Sequence, residues 1–179
     1  MAEHGEGSEA LHAMVLAAGA SARFGSAKQL VRIGGRPLLH TVAPLLKHSP
    51  VSIVINRDWH EGLASSIRAG VTRLPGSCTG VLLVLADQAV VTAEDLRRLA
   101  AAWRRQPEYI AAALYRGTTG VPAIFPRSCF SDLAELRGDV GARVVLRRNP
   151  DRIVRVPMES AAFDLDTPED LLAIEQPSE

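Results

Sequence analysis

The 179-residue sequence predicts an α/β domain whose mostly parallel sheet is covered by crossover helices, and three observations predict it. Short runs rich in Val, Ile and Leu alternate with longer amphipathic segments, the pattern of buried strands joined by helices. The composition is that of a globular chain, 47% hydrophobic with 20 basic and 20 acidic side chains, so neither disorder nor a fibrous repeat fits. No internal repeat or low-complexity linker divides it, so residues 11–176 read as one domain behind a disordered polar tail, 1–10.

The same arithmetic excludes several functions. A net charge of zero gives no global pull toward nucleic acid, so a site for an anion must come from a few local groups. No apolar run is long enough to cross a bilayer and no leader-like segment opens the chain, which leads us to expect a cytoplasmic protein with no membrane partner. Cys78 and Cys129 share no metal-binding spacing and read as small buried hydrophobes in a reducing compartment.

Strands are expected at 13–17, 51–55, 81–86, 109–114, 123–125 and 153–156. Pro37, after Gly34 and Gly35, is expected to open a helix. Thr92 with Asp95 forms an N-cap pair before the amphipathic segment that follows, and Pro126 opens another helix. The last begins at Thr167-Pro168-Glu169-Asp170, where a capping hydroxyl, an N1 proline and two early carboxylates agree.

Residues 16–30, LAAGASARFGSAKQL, carry most of the functional signal. A buried strand gives way to small residues, which let the backbone approach a ligand and aim its N–H groups at the carboxyl edge of the sheet, where open parallel sheets bind ligands. Arg23 and Lys28 add two positive charges, suited to a polyphosphate. The stretch contains neither a Gly-Lys-Ser/Thr nor a G-x-G-x-x-G, so P-loop and dinucleotide-binding readings lose support. Asp87 closes the apolar run VLLVLA, where a carboxylate is costly unless it faces a ligand cleft or caps the turn into the next helix. Asp164 and Asp166 alternate along a short extended segment and so point the same way.

LAAGASARFG with Lys28, NRDWHEGLASSIRAG (56–70), VLADQ (84–88), GVPAIFP (120–126), GDVGAR (138–143) and DLDTPEDL (164–171) together resemble the motifs of the MobA-like NTP transferases, specifically the molybdenum-cofactor cytidylyltransferase branch. The resemblance covers nearly all of residues 12–175 and implies a three-layer Rossmann-like nucleotidyltransferase. The implied reaction joins CMP from CTP to molybdopterin and expels pyrophosphate. The early motif LAAG, with Ala18, resembles the cytidine branch more than the guanosine branch with its extra glycine.

Carried over residue by residue, the first loop would wrap the nucleotide through Leu16, Ala17, Ala18, Gly19, Ser21 and Gly25, with Arg23 and Lys28 on the triphosphate. Asp87 takes the place of the family's magnesium-binding aspartate, and Asp164 reaches the same metal, Mg2+ or in its stead Mn2+. Asp166, nearer the last helix, serves its cap or dipole, or meets the metal in place of Asp164. Gly62 and Ser65 lie against the nucleobase; Ser66 does so too or caps its own helix. Asn56 turns its loop or touches the second substrate, and Arg143 meets the pterin phosphate. Trp59 reads as packing before stacking, and His60 is the one histidine inside a motif. The implied partners are CTP or another NTP, molybdopterin or another small phosphate, and a recipient molybdoenzyme. The competing readings are transfer to a sugar phosphate or other small phosphate, and a noncatalytic nucleotide-binding or cofactor-loading protein.

The chain departs from the family in three places. Ala89 stands where relatives carry proline after Asp-Gln, and Val121 stands where they carry histidine between Gly120 and Pro122. Relatives also insert a strand and helix before the Asn56 motif, so the sheet is expected to be one strand-helix unit short.

Overall fold

The computed structural model describes residues 10–17, 32–33, 36–37, 53–165, 167 and 169–170. A five-stranded sheet runs through it in the order β1 (Ala10–Leu16), β4 (Cys78–Leu85), β6 (Thr118–Pro126), β5 (Ile110–Tyr115), β7 (Ile153–Pro157). A separate antiparallel pair joins β2 (Arg32–Ile33) to β3 (Arg36–Pro37). The helices are α1 (Leu63–Val71), α2 (Ala93–Arg105), α3 (Phe130–Ala134) and α4 (Arg143–Arg148).

β1 and β4 are parallel, as are β5 and β7, while β6 runs against both of its neighbours. The expected mostly parallel sheet is therefore present, with one reversed strand that the sequence reading did not foresee. Reversal happens at Arg116-Gly117, between the paired residues Tyr115 and Thr118. Both turn residues have positive φ, 46° and 72°, as a two-residue type I′ hairpin demands. An arginine in that conformation is unusual, so the turn carried no sequence signal.

Alternate residues of the buried strands feed two cores, one on each face. Val81, Leu83, Ala123 and Phe125 pack with Ile67, Leu133 and Leu146 of the helices α1, α3 and α4. Leu82, Val84 and Ile124 pack on the other face with Leu96, Leu99 and Trp103 of α2 and with Met158. Trp103 is wholly buried against β4, and Gly80 makes room for it: a Cβ there would stand 2.5 Å from the indole. Thr92 and Asp95 exchange both bonds of a capping box at the start of α2, as expected. Thr167 and Asp170 exchange the same pair at the last helix, with Asp170 N–H on the threonine hydroxyl and Thr167 N–H on the carboxylate.

Two expectations are corrected. Residues 53–56 form no strand, and Ile53 and Ile55 are 88% and 76% exposed, so the apolar run at 51–55 is not a sheet strand over its described part. Pro37 lies in β3 rather than at a helix start, and the helix expected to follow it falls on residues 38–50, outside the described residues. Among the described residues, no helix is long and apolar enough to cross a membrane.

Candidate active site at the carboxyl edge of β1 and β4

The two parallel strands end in register, Leu16 opposite Leu85, and the Ala86 N–H extends the ladder by one bond to Leu16 O at 3.0 Å. Ala17, where the glycine-containing loop departs, therefore lies beside the turn that carries Asp87. Ala18, Gly19, Ser21, Arg23, Gly25 and Lys28 lie outside the described residues, as does Asp166.

The Asp87 turn is held from several directions. Gln88 N–H bonds Leu85 O at 3.2 Å, and Ala89 N–H bonds Asp87 O at 2.8 Å. Gln88 is 4% exposed, and its amide donates to Val121 O at 2.8 Å and to Ala161 O at 3.3 Å, tying the turn to β6 and to the 3-10 segment Glu159–Ala162. Val121 and Pro122 form the irregular part of β6 between Gly120 and Ala123, where a residue lacking N–H breaks no ladder bond. Sequence reasoning missed Gln88 as the fastener, although a buried carboxamide in a turn needs carbonyl partners.

Leu165 N–H donates to Asp87 O at 3.0 Å, which brings the chain segment of Asp164 against the Asp87 turn. Asp87 is half-buried with its Oδ1 shielded from solvent, and Asp164 is exposed. The helix-capping alternative for Asp87 is already filled by Thr92 and Asp95. Two hard carboxylates suit Mg2+ or Mn2+, which keep waters and substrate phosphates among their ligands. Among the described residues no group of three or more His, Cys, Asp or Glu is placed to hold a metal ion.

The 56–66 segment is tied largely to itself. Asn56 Nδ2 donates to the hydroxyls of Ser65 at 2.8 Å and Ser66 at 3.0 Å, and its Oδ1 accepts Asp58 N–H at 3.0 Å. Ser65, 3% exposed, donates onward to Gly62 O. Gly62 has φ +99°, and a Cβ on it would lie 2.7 Å from the Gly138-Asp139 backbone. That turn supplies the cap of α1: Asp139 Oδ1 accepts from Leu63 N–H at 3.3 Å and Gly138 O from Ala64 N–H at 3.2 Å. The close crossing gives Gly62 a reason independent of any nucleobase, and one that comes from residues 76 positions away. Trp59 is 48% exposed and so is not the packing residue expected; His60 is exposed beside it.

Arg143 begins α4 and donates to the Tyr115 hydroxyl at 3.0 Å. Gly120 permits this pair, since a Cβ there would stand 2.2 Å from the Tyr115 oxygen and 3.2 Å from the guanidinium. Between α4, α1 and the ends of β1 and β4 lies a cavity of about 340 Å³ whose walls include Leu16, Leu85, Val121, Val144, Arg143 and Arg147.

A family model described as a MobA-like NTP transferase domain matches this chain over residues 13–51 and 40–153. A probable molybdenum cofactor guanylyltransferase of Nostoc sp. is 27% identical, covering 92% of this chain and 90% of its own. The crystal structure of a homologue, from Mycobacterium sp. strain JC1, of the Mycobacterium tuberculosis protein Rv0371c superposes with TM-score 0.74 at 26% identity, covering 93% of this chain and 97% of that one. The manganese complex of Rv0371c itself shares the fold with TM-score 0.70 at 24% identity, over 94% of this chain and 99% of that one.

Proposed function

The chain belongs to the MobA-like NTP transferase family, and from that premise we propose that it transfers CMP from CTP to the phosphate of molybdopterin. The observation that carries this reading is the register of Leu16 with Leu85, which starts the Arg23 and Lys28 loop next to Asp87. In the reaction a phosphate oxygen of the acceptor bonds to the α-phosphorus of the nucleotide, the bond from that phosphorus to the β-phosphate oxygen breaks, and pyrophosphate leaves with its electron pair. Both reactants are anions, so neutralising charge and holding them in line supply most of the acceleration.

Arg23 and Lys28 bind the triphosphate, and the small residues Ala18, Gly19, Ser21 and Gly25 let the loop backbone follow it. Asp87 and Asp164 would hold the cation, Mg2+ in this reading. That ion supplies neutralisation of the phosphate oxygens and of the departing pyrophosphate. The Nostoc relative bears a guanylyltransferase name, so GTP is the donor against which CTP must be weighed. The motif LAAG is the residue-level support for CTP.

The test is pyrophosphate release with each of the four NTPs, Mg2+ and molybdopterin. We expect release with CTP, abolished by EDTA and reduced about 100-fold or more in Asp87→Asn. Release with GTP instead reassigns the base. Nucleotide binding without release from any NTP would make the protein a nucleotide sensor.

A further inference from the structure

We propose that Gln88 is a positioning residue for the cation site: its buried carboxamide sets where Asp164 stands relative to Asp87, and through that spacing sets the affinity for the divalent ion. The proposal rests on the transferase reading only in giving that ion a triphosphate to neutralise.

Gln88 follows Asp87 in the chain and is 4% exposed, so its polar groups must find partners inside the protein. Its amide nitrogen donates to two carbonyls, Val121 O at 2.8 Å and Ala161 O at 3.3 Å, and its Oε1 faces the Leu85 N–H at 3.4 Å. These partners fix the amide's orientation, since turned over it would set an oxygen against two other oxygens. Ala161 belongs to the 3-10 segment Glu159–Ala162, and Met158 N–H anchors the entry to that segment on Leu114 O of β5 at 2.9 Å. Three residues after Ala161 the chain reaches Asp164, and one residue later it is caught again, Leu165 N–H on Asp87 O at 3.0 Å. Ala161 and Leu165 are buried, while Asp164 between them is exposed. Asp164 therefore stands on a short span held at one end by the Gln88 side chain and at the other by the Asp87 main chain. One dipeptide grips both ends, so Asp164 moves relative to Asp87 only when one of these bonds yields. The bond to Val121 O ties the same carboxamide to β6 and keeps the grip in register with the sheet. Mg2+ demands near-ideal octahedral geometry, so a shift of one carboxylate is felt directly in its binding. Groups that orient a ligating side chain typically govern about 10–100-fold in metal affinity. A glutamine that served stability alone would lower the unfolding free energy and leave that affinity untouched.

Mn2+ is the probe, titrated into the full chain with and without CTP and followed by the electron paramagnetic resonance signal of the free ion. Gln88→Met keeps the side-chain length and removes both donors, and it should weaken Mn2+ binding about tenfold or more. Gln88→Asn, whose amide is one methylene too short to span both carbonyls, should fall between Gln88→Met and wild type. Asp164→Asn should weaken binding by a factor similar to Gln88→Met. The double variant should bind no more weakly than Asp164→Asn alone, because a residue that acts by placing Asp164 has nothing left to place. Leu99→Ala, in the core of the α2 face, lowers stability and should leave Mn2+ affinity unchanged. Wild-type affinity in folded Gln88→Met and Gln88→Asn, additive losses in the double variant, or no uptake of Mn2+ by the wild-type chain each overturn the proposal. Pyrophosphate release from an NTP together with Mn2+ affinity indifferent to Gln88 sinks this proposal alone. A Gln88-dependent Mn2+ site in a chain that releases pyrophosphate from no NTP sinks the transferase reading alone.

Discussion

The two faces of the sheet are built differently. On the α2 face Trp103, Leu99 and Met158 are fully buried, and β4 carries a glycine at 80 to admit the indole. On the α1 and α4 face the same strands present Leu83 and Leu85 to a cavity of about 340 Å³ rimmed by arginines. Both faces are thus packed cores, and the α1 and α4 face keeps a cavity at the strand ends. A filled layer converts apolar burial into stability, whereas a cavity leaves area that a ligand can still cover.

The sharpest way to break this contrast is to empty the filled side. Trp103→Ala should cost about 3–5 kcal/mol in denaturant unfolding, while Val144→Ala on the cavity wall should cost about 1 kcal/mol or less, because Val144 is only half-buried. Equal costs would mean that the cavity side is packed as tightly as the other. The Trp103 indole N–H is buried with no hydrogen-bond partner, so replacing the ring by Phe should cost less than its volume change suggests.

Gly120→Ala should act where the two faces meet, since Tyr115 is buried with the α2-face cluster while its hydroxyl accepts from Arg143. Its Cβ displaces the Tyr115 hydroxyl from Arg143, so the KM for the acceptor should rise several-fold while that for the nucleotide stays near wild type. A change in the nucleotide KM alone would detach Arg143 from the acceptor.

The smallest effect is expected at the α2 cap. Burial raises the Asp95 pKa, but Thr92 N–H, the Ser160 and Thr92 hydroxyls and Arg98 outweigh it and hold the carboxyl below its ordinary value. A carboxyl depressed in the folded state stabilises fully above its unfolded pKa of about 3.9, and that contribution disappears as pH falls through the lower folded value. Asp95→Ala should therefore cost about 1 kcal/mol at neutral pH and nothing measurable at the acid end of that range. A cost independent of pH would mean that the carboxylate charge is not what Thr92, Ser160 and Arg98 recognise.

What could be read from the sequence was local. The Thr92-Asp95 box, the Thr167-Asp170 cap and the apolar run ending at Asp87 are each decided by residues a few positions apart. The direction of β6 was hidden because a mostly buried strand reads alike both ways and its turn uses Arg116. The strand at 51–55 was misread over its described part because an apolar run states a preference for burial and does not by itself set strand pairing. Asn56 reads in the sequence as turning its loop or touching substrate, and its bonds to Ser65 and Asp58 N–H show it turning the loop, while the close approach of Gly62 to Asp139 is a packing role that only the fold displays.

The central claim is that the ends of β1 and β4 bring the cationic loop and Asp87 onto one metal-bound triphosphate. Anomalous scattering from crystals grown with Mn2+ and CTP tests it most directly. The account predicts a manganese peak within bonding distance of an Asp87 carboxylate oxygen, with the triphosphate between it and Arg23 and Lys28. A nucleotide bound elsewhere, or a metal peak with Asp87 unliganded, would contradict it.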